Sequence, residues 1–480
     1  MSEQGRSGGA NRLVLRDSAV YFSAQLGARA LNFIYFLVLA RSLPTDEFGV
    51  LNYVLTIIVT LDIVIDLGLS RHAMREISRD PGRAQEFLAR LLPYKMAAAA
   101  LVYALYCLWV LTLEQPLVYT LIAVFSALGL FFTSPAMLLE NVVQAYHRFT
   151  VISTAHVALA VAQFALGGVI LLAGGGAVAI SLIFAFTYLL YGAILAAELR
   201  RLGLRFRPAP APRAILRSLP ASLPYLISAL IILLAIKTEF LVFGYFGTPV
   251  ELGLFGMAVK IVEAGMLLPL ALGGVMAPRF AKAHAQGRET LGRLYFSAFE
   301  VLAALAIGSA IVAFLLTPVV PLILPEPGFV GIDRVLRLLF FGYPVACIFV
   351  FNTFFLFGAS RQRGPLALLV ALAVLQLGLN GVLQSRYGLT GAALSFTVFM
   401  ALAAVLSTGF IMAVYIGMRG LRRSVMAPLG ASLLAALFYL LSSGWPDSVR
   451  LIVALAIFGA AYLGAQKYLP GHTTRIDLGN

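Results

Sequence analysis

Apolar residues run along this chain in about fourteen long blocks, each close to the ~20 residues that carry an α-helix across a bilayer core. The blocks predict spans at roughly 17–40, 48–70, 91–113, 117–140, 150–173, 177–197, 222–246, 250–275, 295–316, 335–358, 365–383, 389–416, 427–442 and 448–466. The last two are short. Polar gaps separate the blocks, and basic residues gather on every second gap.

Composition excludes a soluble fold. With 61% hydrophobic and 12% charged residues and a mean hydropathy of +0.94, the chain reads as an all-α polytopic membrane protein. Residues 1–16 form a polar, Gly/Ser-rich tail carrying Arg6, Arg12 and Arg16. A long apolar helix without a small-residue cleavage site follows, so no cleavable signal peptide is expected.

Charge sets the expected orientation. With the N-terminus inside, the even-numbered connections are cytoplasmic and hold most of the 35 Lys and Arg, among them Arg71, Arg75, Arg79 and Arg83. Arg90 and Lys95 count with them as charges at a helix entrance. Outside lie Arg41, Arg334, Arg337, Arg386 and Arg450. This asymmetry follows the positive-inside rule and predicts an inner-membrane protein with both termini cytoplasmic. It also accounts for the net charge of +14, so no nucleic-acid partner is expected; the basic loops read mostly as topology signals, with some contact to anionic lipid headgroups expected. Cys107 and Cys347 lie in apolar spans and read as packing residues, with no disulfide framework or metal spacing.

A weak repeat joins spans 1–6 to spans 7–12. Glu47-Phe48-Gly49 opens span 2 and Glu251-Leu252-Gly253 opens span 8, at an offset of 204 residues that also relates Tyr21 to Tyr225 and Arg75 to Arg279. Gly176-Ala177 and Ser181 resemble Gly391-Ala392 and Ser395 at a slightly larger offset. An even number of spans per repeat makes the halves parallel, as in transporters whose substrate site lies between them. The expected layout is an N-lobe over 17–197, a Pro/Arg-rich cytoplasmic linker over 198–221, a C-lobe over 222–416, two added helices over 427–466 and a tail over 467–480. Pro208-Ala209-Pro210-Ala211-Pro212 predicts an extended linker segment.

Arg41-Ser-Leu-Pro-Thr-Asp-Glu-Phe-Gly49, Asp66-Leu-Gly-Leu-Ser70, Arg75-Glu-Ile77 and Tyr387-Gly388-Leu389-Thr390-Gly391-Ala392 resemble the polysaccharide transporter family, which includes the Wzx-type oligosaccharide flippases. The family usually carries Gly-Pro where this chain has Pro44-Thr45. The resemblance implies two six-helix lobes that rock between inward- and outward-open states. It also implies transfer of an undecaprenyl-pyrophosphate-linked glycan to the periplasmic leaflet, for O-antigen, capsule or exopolysaccharide assembly. Polysaccharide polymerase and chain-length proteins are the further partners it points to. A polyhydroxylated pyrophosphate head cannot cross hydrocarbon unaided, because each unsatisfied polar group costs several kcal/mol there.

Arg29, Asp62, Asp66, Lys237, Glu239, Lys260 and Glu263 stand well inside predicted spans. A charge at a helix centre costs roughly 2.5–3.5 kcal/mol on insertion scales, so these groups are expected to face protein or a wet cavity. At ~1.5 Å per residue, Arg29 and Asp62 reach similar depths from the cytoplasmic side, which permits a pair. Asp62 and Asp66 share one helix face, as do Lys260 and Glu263. Arg29, Lys237 and Lys260 are the candidates for binding pyrophosphate or sugar. Asp62, Asp66, Glu239 and Glu263 are candidates for charge pairing or for a coupling H⁺ or Na⁺. The bland alternative is a set of neutral interhelical pairs.

Asn141 and Asn352 end corresponding spans and are further candidates for the translocation path. Arg41 is a candidate for a headgroup contact or a gate, and His156 reads as a satisfied core histidine. No Gly-rich phosphate loop and no large outer loop with reacting groups is present, so neither an enzyme nor a bound cofactor is expected. A cation-coupled multidrug exporter and a lipid-linked peptidoglycan precursor flippase are the competing readings.

Overall fold

A computed structural model describes residues 24–320, 324, 329–359 and 363–416, with isolated positions at 453, 457 and 460. The described residues form helices and no strand: α1 over 24–42, α2 (Thr45–Asp66), α3 (Leu69–Arg79), α4 (Ala84–Leu111), α5 (Leu117–Ala127), α6 (Leu130–Ala145) and α7 (Phe149–Leu172). They continue as α8 (Ala177–Arg201), α9 (Pro212–Phe246), α10 (Pro249–Gly265), α11 (Leu267–Gln286), α12 (Arg288–Leu316), α13 (Ile332–Ala359) and α14 (Arg363–Ile411). Ten helical segments among them are long and apolar enough to cross a membrane. The predicted spans 427–442 and 448–466 lie outside the described residues apart from the isolated positions, as do both tails.

One of the ten runs for 50 residues, Ala367–Ile416. A straight helix of that length would measure about 75 Å, far beyond one bilayer crossing. The chain instead doubles back at Gly388 (φ 53°, ψ −129°), a backbone conformation that favours glycine. Ser395 donates to Asn380 Oδ1 at 2.6 Å, a contact that a straight helix would hold roughly 22 Å apart. The segment therefore supplies both predicted spans, 365–383 and 389–416.

Three predicted spans bend where the sequence suggested one run. Span 8 divides between α10 and α11 at Met266, and span 4 between α5 and α6 at Leu128-Gly129. Span 2 divides between α2 and α3, at Leu67 (φ 49°) and Gly68 (φ 75°). A Cβ on Gly68 would lie 2.4 Å from Ser222 O and 2.6 Å from Leu226 N of α9, so glycine is needed there for space as well as for φ.

Span 3 starts earlier than predicted. Asp80 accepts from the Gly82 N–H at 3.1 Å, and Pro81 opens a short 3₁₀ turn that feeds α4 from Ala84. Within α4, Pro93 has no N–H to offer the Ala89 carbonyl. The linker supplies one: Ala209 N donates to Ala89 O at 2.9 Å. Gln85 reinforces this docking by accepting from Arg205 N at 2.8 Å and donating to Arg205 O. The non-helical linker is 202–211, shorter than predicted, because α8 continues to Arg201 and α9 begins at Pro212.

The chain packs as two compact units, Met1–Met257 and Ala258–Asn480. The first takes in α9, which the sequence reading assigns to the second lobe, and α10 runs through the boundary. In the first unit α6 packs on α8, α3 and α4, while α2 packs on α5 and α9. Its core includes Leu69, Ile77, Leu88, Leu139, Val143, Ile152, Leu195 and Leu199. In the second unit α13 packs on α11, α12 and α14. Phe280, Tyr295 and Phe355 meet edge-on there, with ring centroids 4.9 and 5.0 Å apart.

Candidate functional site

The break after α2 creates a polar site in an apolar interior. Because the chain turns at Leu67-Gly68, Asp66 comes to face the start of α3, where its Oδ1 accepts from the Ser70 N–H at 3.3 Å and from the Ser70 hydroxyl. Those bonds satisfy donors that a helix start leaves open. From α4, Lys95 reaches the same oxygen at 2.7 Å. The Lys95 side chain is 0% exposed. Its neighbour Tyr94 donates to Ile65 O at 3.0 Å, tying α4 to the last turn of α2.

One turn earlier, Asp62 is buried on the same face of α2. Lys95 and Asp66 act on it electrostatically, and the Ser134 hydroxyl of α6 faces it. Asp62 Oδ1 has no hydrogen-bond partner among the described residues. Two carboxylates thus share one buried ammonium.

Lys95 is the residue that sequence reasoning missed. A start of span 3 at 91 leaves it among the cytoplasmic entrance charges. The Asp80-Pro81-Gly82 turn signal places the helix start near 84, which puts Lys95 about 16 Å along the helix. The permitted pairing of Arg29 with Asp62 does not form. Arg29 is exposed on α1, and Lys95 takes the place expected for it. Equal depth left the azimuth around each helix undetermined.

The remaining candidates are dispersed. Lys260 and Glu263 pair at 3.1 Å on one face of α10, as their spacing predicts, and both are partly exposed. On α9, Glu239 is buried and Lys237 half-buried. Arg41 is exposed at the end of α1. Asn141 donates to Met137 O at 2.8 Å within its own helix. Asn352 is fully buried. It accepts from Tyr295 OH at 2.7 Å and donates to Ser407 and Thr408 at 2.9 and 2.8 Å. That makes Asn352 a packing hub of the second unit rather than a group on an open surface. His156 is held by Ile152 O at 3.0 Å, Gln25 at 3.4 Å and Tyr191 at 3.5 Å, a satisfied core histidine.

Beyond the break, α3 is amphipathic, burying Leu69, Ala73 and Ile77 and exposing Arg71, Arg75 and Arg79. Glu76 binds Arg83 at 2.8 Å, and Arg75 donates to Tyr225 OH at 3.2 Å. Burial pushes His72 below its ordinary value; Glu76 opposes the shift, and Arg83 and Arg75 add to it.

The sequence model of a family described as "polysaccharide biosynthesis protein" matches residues 14–284, more than half of the chain. The chain belongs to that family. The match includes the Asp62–Lys95–Asp66 cluster and ends near the end of α11. No curated protein matches the chain. Among solved structures, the lipid II flippase MurJ in an inward closed conformation is similar with a TM-score of 0.68 and 10% identity, covering 94% of this chain and 98% of the other. An inward-facing multidrug resistance MATE transporter of the MOP superfamily is similar with a TM-score of 0.67 and 15% identity, covering 80% and 93%. The eukaryotic MATE transporter AtDTX14 is similar at 0.58 and 15% identity, covering 85% and 98%. The fold of this family member is therefore that of the polytopic MurJ and MATE transporters.

Proposed function

We propose that the chain moves a polyprenyl-pyrophosphate-linked oligosaccharide from the cytoplasmic to the periplasmic leaflet of the inner membrane by alternating access. Membership in a polysaccharide biosynthesis family, on a transporter fold, is the observation that carries this reading. The similarity to a lipid II flippase supports a lipid-linked pyrophosphate as the substrate class. Arg29, exposed on α1, and the partly buried Lys237 and Lys260 are the cations assigned to the pyrophosphate or sugar. Arg41 is assigned to a headgroup at the outer end of α1, and Asn141 to the path. A coupling H⁺ or Na⁺ is the energy source assigned to the intramembrane carboxylates, and covalent chemistry has no part in the cycle. With the N-terminus inside, the basic face of α3 and the docked linker lie at the cytoplasmic surface.

A ligand-induced stability shift tests the substrate class. A polyprenyl-pyrophosphate oligosaccharide is expected to raise the melting temperature of the purified protein, and Lys260→Ala to weaken that response. A response to amphipathic cations with none to the glycolipid would instead favour the cation-coupled drug exporter, which the MATE similarity and the buried carboxylates support.

A further inference from the structure

Asp66 is well provided for: Lys95 lies 2.7 Å from its Oδ1, and Ser70 gives it two hydrogen bonds. Asp62 is 9% exposed, and its Oδ1 has no hydrogen-bond partner among the described residues. With both carboxylates ionised, the cluster carries one negative charge too many, on the oxygen with the fewest partners. A buried charge without a partner is far costlier than the same group made neutral.

The other groups packed around α2 do not supply the missing charge; on α1, which meets α2 through Phe36 and Phe48, Arg29 is exposed. From α4 come Lys95, already shared, and Tyr94, whose hydroxyl is bound to Ile65 O. From α6 come the neutral Ser134 and a further acid, Glu140, and from α8 comes Tyr188 beside both Asp62 and Glu140. The one titratable group of α5, Tyr119, donates to Asp46 Oδ2 at 2.6 Å, at the opposite end of α2. On α9, Tyr225 lies beside Gly68 and binds Arg75, while Lys237 and Glu239 lie farther along, close to Phe240, whose ring meets Tyr53 at a tilt.

We propose that the cluster binds one exchangeable proton, seated on Asp62. A sodium ion fits less well. Hard cations need several oxygen ligands, and beside the Lys95 ammonium the buried oxygens without a hydrogen-bond partner among the described residues are Asp62 Oδ1 and Ser134 Oγ. With the proton on, Lys95 belongs to Asp66 alone. With the proton off, Asp62 competes for Lys95 and draws α4 toward the middle of α2. Proton exchange is thereby linked to the packing of α2 on α4. Its use in driving transport rests on the flippase reading, whereas the proton site itself does not.

The test needs no substrate: pH-difference infrared spectra of the purified full chain in lipid nanodiscs. Recorded above the pH range in which exposed carboxylates ionise, the expected spectrum contains a titrating carboxylic-acid C=O band. Asp62→Glu shifts that band and Asp66→Glu leaves it in place. Asp62→Asn removes it, and Lys95→Met roughly doubles it, because the second carboxylate then loses its cation. Melting curves confirm that each variant is folded, and the two Glu variants keep the test open if the harsher changes unfold the protein. Exchange of K⁺ for Na⁺ is expected to change nothing. Any of three results overturns the proposal: no titrating band in the wild type, a band that ignores Asp62→Glu, or a band abolished by Na⁺ at constant pH.

Discussion

Gly49 and Gly253, which occupy equivalent positions in the internal repeat, pack directly against one another. A Cβ on Gly49 would lie 2.2 Å from Pro249 O, and one on Gly253 would lie 2.2 Å from Thr45 O. Thr45 and Pro249 are themselves related by the same offset, so the contact is reciprocal, as in a two-fold interface. Asn52 and Gly256, another equivalent pair, also meet, with a Cβ on Gly256 3.5 Å from Asn52 Cβ. The start of α2 and the start of α10 thus form a local pseudo-symmetric contact that only glycine lets close.

Gly49→Ala and Gly253→Ala are each expected to destabilise the protein by about 1–3 kcal/mol through overpacking. Because both changes open the same contact, their combination is expected to cost less than the sum. Melting temperatures of the two single variants and the double variant in one detergent check this. Additive losses would contradict a shared contact.

Lys95→Met takes the cation from buried Asp62 and half-buried Asp66 and is expected to cost about 3–5 kcal/mol, the usual penalty for breaking a buried ion pair from one side. Adding Asp66→Asn to Lys95→Met is expected to restore stability, since the orphaned charge disappears with it. Chemical unfolding of the two single variants and the pair measures the coupling directly.

Gly68 and Gly388 separate two reasons for glycine. Gly388→Ala meets open space and is expected to cost only the backbone strain, about 1–3 kcal/mol. Gly68→Ala adds a collision with Ser222 O and Leu226 N and is expected to cost clearly more. Equal melting temperatures for the two variants would contradict the close approach of α9 to the α2–α3 break.

The spans were legible because hydropathy over ~20 residues is a strong signal, and the hairpin at Gly388 fell in the predicted gap between 383 and 389. The Lys260–Glu263 pair was legible because three residues bring two side chains to one helix face. The Asp62–Lys95–Asp66 cluster was half legible. The two acids share a face by spacing, but their cation comes from another helix, and residue depth says nothing about which way a side chain points. The breaks at Gly68, Gly129 and Met266 were hidden because apolar residues continue through them. The core role of Asn352 was hidden for a similar reason: its partners Tyr295, Ser407 and Thr408 come from distant helices.

Glycolipid transfer is tested most directly by a leaflet assay in sealed proteoliposomes. A fluorescent polyprenyl-pyrophosphate oligosaccharide is reconstituted with the purified protein, and the fraction open to an external glycosidase is followed in time. Transfer well above protein-free vesicles, falling at least tenfold in Arg29→Ala or Lys260→Ala, is the expected result. No transfer under imposed H⁺ or Na⁺ gradients, alongside efflux of an amphipathic dye from the same vesicles, would contradict the flippase reading.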